Sequence, residues 1–354
     1  MNRFSVIEVV SGLGMGGAEK SFLSRVKFLP DNFQTAVLNT RPELDSWGLP
    51  LDTASVNCSR NNIGFLLRLH RELQKLSPNV VVARSPIDLI AISLIKFFTK
   101  RNWKLVYEAH SIEISQNLLV ASVLSPFMKF ANFQTDLVIA VSKSVATGRQ
   151  CRGAKKIKVH HVGALAKIQE TGKRDFTFLF VARFVPLKQP IFFLEAVKSL
   201  ADSFLRHGAR VKMIGKGVLE PEIAKFIAAN DLGKIVELSG YHEDLSSIYS
   251  SSEYLISTSL FEGLPITFFE AKLHGLRIIS TPSSGDFDIL GAEDLILKDF
   301  KVETLRNALN AALEDGLLTA EGRNSIQRQN AWMQSEARSK LYYELIEAEF
   351  TQAQ

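Results

Sequence analysis

The chain is short of several things, and each absence excludes a class of protein. Two cysteines in 354 residues, Cys58 and Cys151, form neither a disulfide framework nor a zinc-ligand spacing, which fits a reducing compartment. Cys151 stands among Arg149, Arg152 and Lys155, cations able to acidify a thiol, but the expectation is an ordinary surface thiol. The opening Met1-Asn2-Arg3 leads into a β-like Ser5 to Val10 broken by Glu8, too short and too charged for a signal peptide, so the expected location is cytoplasmic. Ile114 to Met128 is uncharged for fifteen residues, short of the about 20 that a membrane span needs. There is no internal repeat, low-complexity tract or block of like charges.

What is present is a regular alternation. Hydrophobic residues make up 46% of the chain, enough at this length for two α/β domains, each with its own core. Strand-like runs fall at Ser5 to Val10, Gln34 to Leu38, Val80 to Arg84, Lys104 to His110, Leu137 to Ser142 and Ile157 to Val162, with helical stretches between. Such alternation predicts a parallel sheet covered on both faces. The polar Lys167 to Arg174 is the expected interdomain linker, after which Phe176 to Ala182, Val211 to Ile214, Glu253 to Ser259 and Arg277 to Ser280 restart the pattern. The last stretch, Arg338 to Phe350, predicts a helix.

Three places carry candidate chemistry. Gly12-Leu13-Gly14-Met15-Gly16-Gly17 lies between a strand and a helix expected from Ala18 to Leu29, formally a dinucleotide fingerprint. The end of the second strand, however, offers Asn39 and Thr40 where that reading wants an acid. Arg183 and Lys188 follow a central strand, a fork and a point charge suited to a diphosphate. Phe261-Glu262-Gly263-Leu264-Pro265-Ile266-Thr267-Phe268-Phe269-Glu270 places two carboxylates eight positions apart across a strand-to-helix turn, with Pro265 expected at the first helical position. The amides from Gly263 to Thr267 would face an anion, and Glu270, one turn in, has the two oxygens needed to hold a ribose diol. Taken alone, the pair also fits a helix-dipole partner and a solvated helix face.

This segment, with Leu260 before it and Ala271 after it, resembles the E-x7-E signature of family 4 retaining glycosyltransferases. Gly16-Gly17-Ala18-Glu19, Val181-Ala182-Arg183-Phe184-Val185-Pro186-Leu187-Lys188 and Gly215-Lys216-Gly217 occur in the family's order, and Tyr107-Glu108-Ala109-His110 resembles the segment whose histidine contacts the donor sugar. The departures are Val218 where the family's Gly-x-Gly turn continues with proline, and Val159-His160-His161-Val162-Gly163-Ala164-Leu165, which keeps only the glycine of an Asn-Gly-Val-Asp-like turn.

The resemblance implies the GT-B fold: two Rossmann-like doubly wound α/β domains facing a central cleft, residues 1–166 on the acceptor side, 175–330 on the nucleotide-sugar side, and a helix within 331–354 crossing back. It implies transfer of a hexose-like sugar, with retention, from a nucleotide diphosphate donor to a hydroxyl acceptor in cell-surface polysaccharide or glycolipid synthesis. His110, Glu262, Arg183 and Lys188 would be catalytic, and Gly16, Gly17, Arg183, Lys188, Gly263, Leu264, Ile266, Thr267 and Glu270 would bind donor. The donor would be a UDP-sugar ahead of a GDP- or ADP-sugar, and neither cofactor nor metal is implied. A hydrolysing nucleotide-sugar epimerase of the same architecture and a non-catalytic sugar-nucleotide binder are the rival readings. Asp286-Phe287-Asp288 matches D-x-D, but it comes late in the second domain, beyond the phosphate-binding candidates, and is read as a loop and capping element.

Charge is split along the chain. Residues 1–165 carry 21 Lys and Arg against 11 Asp and Glu, and residues 166–354 carry 21 against 26. In the basic half, Lys96 to Lys104 interleaves Lys96, Lys100, Arg101 and Lys104 with Phe97, Phe98 and Trp103. Beside the uncharged Ile114 to Met128, this predicts peripheral contact with an anionic membrane and a lipid-linked acceptor, with solvated helix faces as the alternative and no nucleic-acid partner expected.

Overall fold

The computed structural model describes residues 3–12, 17–42, 54–59, 64–115, 117–164, 174–283 and 289–351. They form two units, 1–164 together with 335–354, and 165–334. The expected linker falls outside the described residues except for Arg174, which is buried.

The first unit is a seven-stranded sheet of β1 (Phe4–Val10), β2 (Phe33–Asn39), β3 (Ala54–Asn57), β4 (Val80–Ala83), β5 (Lys104–Ala109), β6 (Leu137–Ala140) and β7 (Ile157–Val159), in the order β3-β2-β1-β4-β5-β6-β7. Every pairing is parallel, with Val6 opposite Thr35 on one side and Val80 on the other. The runs Val80–Val82 and Leu137–Ile139 are apolar and essentially inaccessible to water, as strands covered on both faces must be. Glu8 does not break β1 as its charge suggested; it sits in the middle of the strand, fully buried. Local signals set the crossover helices. Ser85 caps Pro86–Thr99 by accepting from the Asp88 amide at 3.2 Å, Pro86 occupies the first turn, and Lys100 ends the helix at φ +50°. The helix Ser335–Thr351 adds Tyr342, Tyr343 and Ile346 to this unit's core, against Val6, Phe33 and Val106. Cys151, expected at the surface, is buried, and burial pushes its thiol up to about 12.

The second unit is a six-stranded sheet of β8 (Thr177–Val181), β9 (Arg210–Ile214), β10 (Val236–Gly240), β11 (Tyr254–Ser257), β12 (Arg277–Ser280) and β13 (Leu295–Ile296), in the order β10-β9-β8-β11-β12-β13, again all parallel. Its core is aromatic at the centre: Phe180 stacks on Phe193 at 5.6 Å between centroids, and Phe178 on Tyr254 at 5.0 Å. Arg277, the buried first residue of β12, is neutralised by Glu253 at 2.9 Å and by Asp315. Among the described residues no helix is long and apolar enough to cross a membrane.

Candidate active site

Open parallel sheets bind ligands outside the carboxyl ends of their strands, where the strand order reverses. In the second unit that point lies between β8 and β11. The two loops leaving these strands are 182–189 and 258–265, and they hold Arg183, Lys188, Glu262, Gly263 and Leu264.

These loops are joined to one another before any ligand is considered. Thr258 Oγ1 donates to Lys188 O at 2.8 Å, and the Leu260 amide donates to Leu187 O at 2.9 Å. Thr281 Oγ1, at the end of β12, donates to Ser259 O at 2.7 Å. On the other side the Phe184 amide donates to Lys216 O at 2.9 Å, bringing the two backbones into contact. Only glycine fits there: a Cβ on Gly215, at φ +146°, would meet Ala182 O at 1.8 Å, and one on Gly217 would meet Phe184 O at 2.3 Å. The Gly-Lys-Gly turn is thus a seat for the Arg183 loop.

Within that frame Lys188 and Glu262 form an ion pair through Nζ and Oε1, with side chains 18% and 14% exposed. Ser259 Oγ donates to the same carboxylate oxygen at 2.6 Å. Arg183 is exposed, and among the described residues its side chain joins no ion pair. The helix Ile266–Leu273 starts one residue later than expected, with Pro265 in extended geometry just before it. Phe268 N donates to Pro265 O at 3.0 Å, while the amides of Ile266 and Thr267 belong to the first turn, which has no acceptors inside the helix. The Ile266 side chain is buried, so only its backbone is available to a ligand. Glu270 is half-buried and accepts from the Tyr249 hydroxyl at 2.8 Å through Oε2. The Tyr249 ring stacks at 5.4 Å on His274, whose Nδ1 lies 2.7 Å from Glu270 O. Burial, and then the carboxylate beside it, pushes Tyr249 well above the usual phenol range, so it donates at every working pH. Tyr249 was invisible to sequence reasoning, because its partner is set by the packing of one short helix on another.

The first unit has its own reversal between β1 and β4. Gly17 opens the helix Gly17–Lys27 there and is exposed; Gly16, like the central part of the glycine-rich turn, lies outside the described residues. The end of β2 closes the turn without an acid: Asn39 Oδ1 accepts from the amides of Gly12 at 3.1 Å and Arg41 at 3.0 Å. His110 follows β5 two positions after Glu108, hence on the same side of the strand. Its Nε2 lies 2.9 Å from Glu108 Oε1 and 3.1 Å from an Arg84 amino nitrogen. Arg25 reaches both Glu108 and Glu8, the latter at 2.8 Å, Arg84 reaches Glu108 at 2.9 Å, and the Tyr342 ring covers the Arg25 guanidinium at 3.7 Å. Burial acts to raise the Glu108 carboxyl, but Arg25, Arg84 and His110 outweigh it and hold it well below the usual carboxylate range. His110 is therefore one end of a buried charge network. The available signal was a glutamate inside each of two apolar strands.

Asp286 and Asp288 lie outside the described residues. With the geometry in hand, comparison with known proteins is informative. Residues 164–331 match the model of the family Glycosyl transferases group 1. The chain is similar to UDP-Gal:alpha-D-GlcNAc-diphosphoundecaprenol alpha-1,3-galactosyltransferase of Escherichia coli, 26% identical over 161 residues, 45% of this chain and less than half, 42%, of that protein. It is also similar to the capsular polysaccharide biosynthesis glycosyltransferase CapH of Staphylococcus aureus, 21% identical over 78% of this chain and 81% of that one. The crystal structure of Anabaena HepE in complex with UDP and glucose superposes with a TM-score of 0.80 over 98% of this chain and all of that one, at 14% identity. The second unit's site thus lies inside a stretch, residues 164–331, matched by the Glycosyl transferases group 1 family, and the chain around it has the GT-B fold.

Proposed function

We propose that the protein is a retaining, nucleotide-sugar-dependent glycosyltransferase that moves a hexose-like sugar from a UDP-sugar to a hydroxyl acceptor in cell-surface polysaccharide assembly. The observation that carries this reading is the pairing of Lys188 with Glu262 at the strand-order reversal, followed by a Glu270 one turn into the next helix and already oriented by Tyr249. A diphosphate at the first turn of Ile266–Leu273 would meet Lys188, Arg183 and the helix amides. Glu262 would then be released from Lys188 to the sugar hydroxyls, and Glu270 would take the ribose. Charge grows on the leaving diphosphate oxygen, so these donors stabilise the transition state more than the bound donor. In this reading the departing oxygen takes the acceptor's proton on the same face. His110 is proposed to address the sugar's far edge. Support comes from the matched family and from relatives whose names specify a UDP-galactose enzyme and a capsular glycosyltransferase; the lipid-diphosphate acceptor in the first of those names makes a lipid-linked acceptor the one to try first.

The test is incubation with a panel of UDP-, GDP- and ADP-sugars, with and without lipid-diphosphate-linked and free glycans, following nucleotide release and the anomeric proton of the product. Acceptor-dependent release with retained configuration is expected. Release without any acceptor would instead identify a hydrolysing epimerase, and binding without release a carrier.

A further inference from the structure

The helix Leu118–Gln134 of the first unit is apolar on both sides. Its inner side buries Ala121, Met128, Ala131 and Asn132, and the Asn132 amide fixes that side by donating to Gln150 O at 2.7 Å and Arg152 O at 2.9 Å. The outer side carries Leu119, Val123 and Phe127, spaced i, i+4, i+8 and 79%, 66% and 53% exposed. A helix facing water normally bears charge there; this one has no charged side chain before Lys129. The apolar stripe continues onto the neighbouring helix, where exposed Phe97 meets Phe130 edge-on at 5.6 Å and Phe98 at 5.3 Å. Trp103, expected among the exposed aromatics, is instead buried and belongs to the core.

The charge around the stripe is one-sided. Residues 96–158 contain 11 Lys and Arg against three acids, Glu108, Glu113 and Asp136. All three acids are already engaged, Glu108 in the buried network, Glu113 with Arg149 at 3.5 Å and Asp136 with Lys96. Lys100, Arg101, Lys129 and Lys155 are exposed, and Lys155 Nζ lies 4.0 Å from the exposed Phe133 ring. An anionic bilayer matches both features, apolar where Leu119, Val123 and Phe127 would enter it and negative at the rim that the cations face. Crossover helices run against their strands, so the stripe begins at the carboxyl edge of the sheet, the edge that carries His110.

Resting on the proposed transfer to a lipid-linked acceptor, we infer that Leu119, Val123 and Phe127 enter the interface of an anionic bilayer while Lys100, Arg101, Lys129 and Lys155 meet its headgroups, setting the acceptor side of the first unit on the membrane. Flotation of the full chain with vesicles of phosphatidylcholine and about 30 mol % phosphatidylglycerol tests this. Binding is expected, and it should be lost in pure phosphatidylcholine and reduced at about 0.5 M salt. The triple variant Leu119→Ser/Val123→Ser/Phe127→Ser should weaken it about tenfold or more, and Lys100→Ala and Lys129→Ala about fivefold each. UDP binding by calorimetry, read on the same samples, should not change. Binding indifferent to salt or to the triple variant would overturn the proposal. So would a dimer in light scattering that the triple variant abolishes, which would assign the stripe to a second copy. UDP binding without vesicle binding sinks the docking alone, and vesicle binding without UDP binding sinks the donor reading alone.

Discussion

Tyr249 makes Glu270 a placed carboxylate instead of a surface one, and this separates two substitutions. Glu270→Gln keeps an acceptor for the phenol and removes only the charge, so thermal stability should hold while UDP affinity, by calorimetry, falls by about 1 kcal/mol. Glu270→Ala should cost about 1.5–3 kcal/mol of UDP affinity and also lower the melting temperature, because the buried Tyr249 hydroxyl loses its partner. Equal affinities for wild type and both variants would return Glu270 to a solvated helix face. His160 gives a prediction in pH. Its Nδ1 lies 3.2 Å from an Arg338 amino nitrogen and its Nε2 3.1 Å from Arg338 O, an arrangement that fits only the neutral ring donating from Nε2. Burial, then Arg338, lowers the pKa from 6.5 to about 3. A histidine with a depressed folded pKa takes up its proton preferentially in the unfolded chain, so stability is lost as pH falls from 6.5 towards 3, by about 2 kcal/mol at pH 5. Denaturant unfolding of the first unit at pH 7 and pH 5 should show this loss, and His160→Gln should flatten it.

At the scale of elements, the loops that follow β8, β9 and β11 act as one piece. Gly217→Ala places a Cβ 2.3 Å from Phe184 O, so the Arg183 loop must move or the turn must open. Reduced turnover together with a melting temperature lowered by several degrees is expected, measured on the same preparation. Lys188→Ala should lower turnover far more than stability if, as proposed, its charge is set against a leaving group, and turnover should survive EDTA. The elements themselves were largely legible: long apolar runs between helical stretches marked ten of the strands, with ends overrun by one to three residues where Arg84, His110, Ser142 and Val162 continue the run past the strand's end. β3, β10 and β13 were not, because these edge strands carry no apolar run: Glu237 and Ser239 interrupt β10, β3 reads Ala-Ser-Val-Asn, and β13 is only Leu295 and Ile296, both exposed. Arg183, Lys188, Glu262, Gly263 and Leu264 stand in the loops that follow their strands, but the pairing of Lys188 with Glu262, 74 positions away, is a tertiary fact. Glu8 was misread for the same reason, since its partner Arg25 lies on the next helix and a lone charge in an apolar run ordinarily ends a strand.

At the scale of the molecule, the first unit is discontinuous in the chain: its sheet is complete by Val159, yet part of its core arrives with Ser335–Thr351. Ending the chain at Gln334 would uncover Phe33 and Val6 and remove the Tyr342 ring from Arg25. Calorimetry of that truncation should lose the first unit's transition and keep UDP binding in the second; an unchanged pair of transitions would contradict it. The same connectivity sets an order of events during synthesis. The ribosome delivers all of residues 165–334 before the helix that closes the first sheet leaves the exit tunnel, so the later half of the chain can finish folding first. Through that interval the nascent first unit carries Glu8, Glu108, Arg25 and Arg84 without their aromatic roof, a span of about 10 to 30 seconds at ordinary elongation rates, in which chaperones have their best access to it.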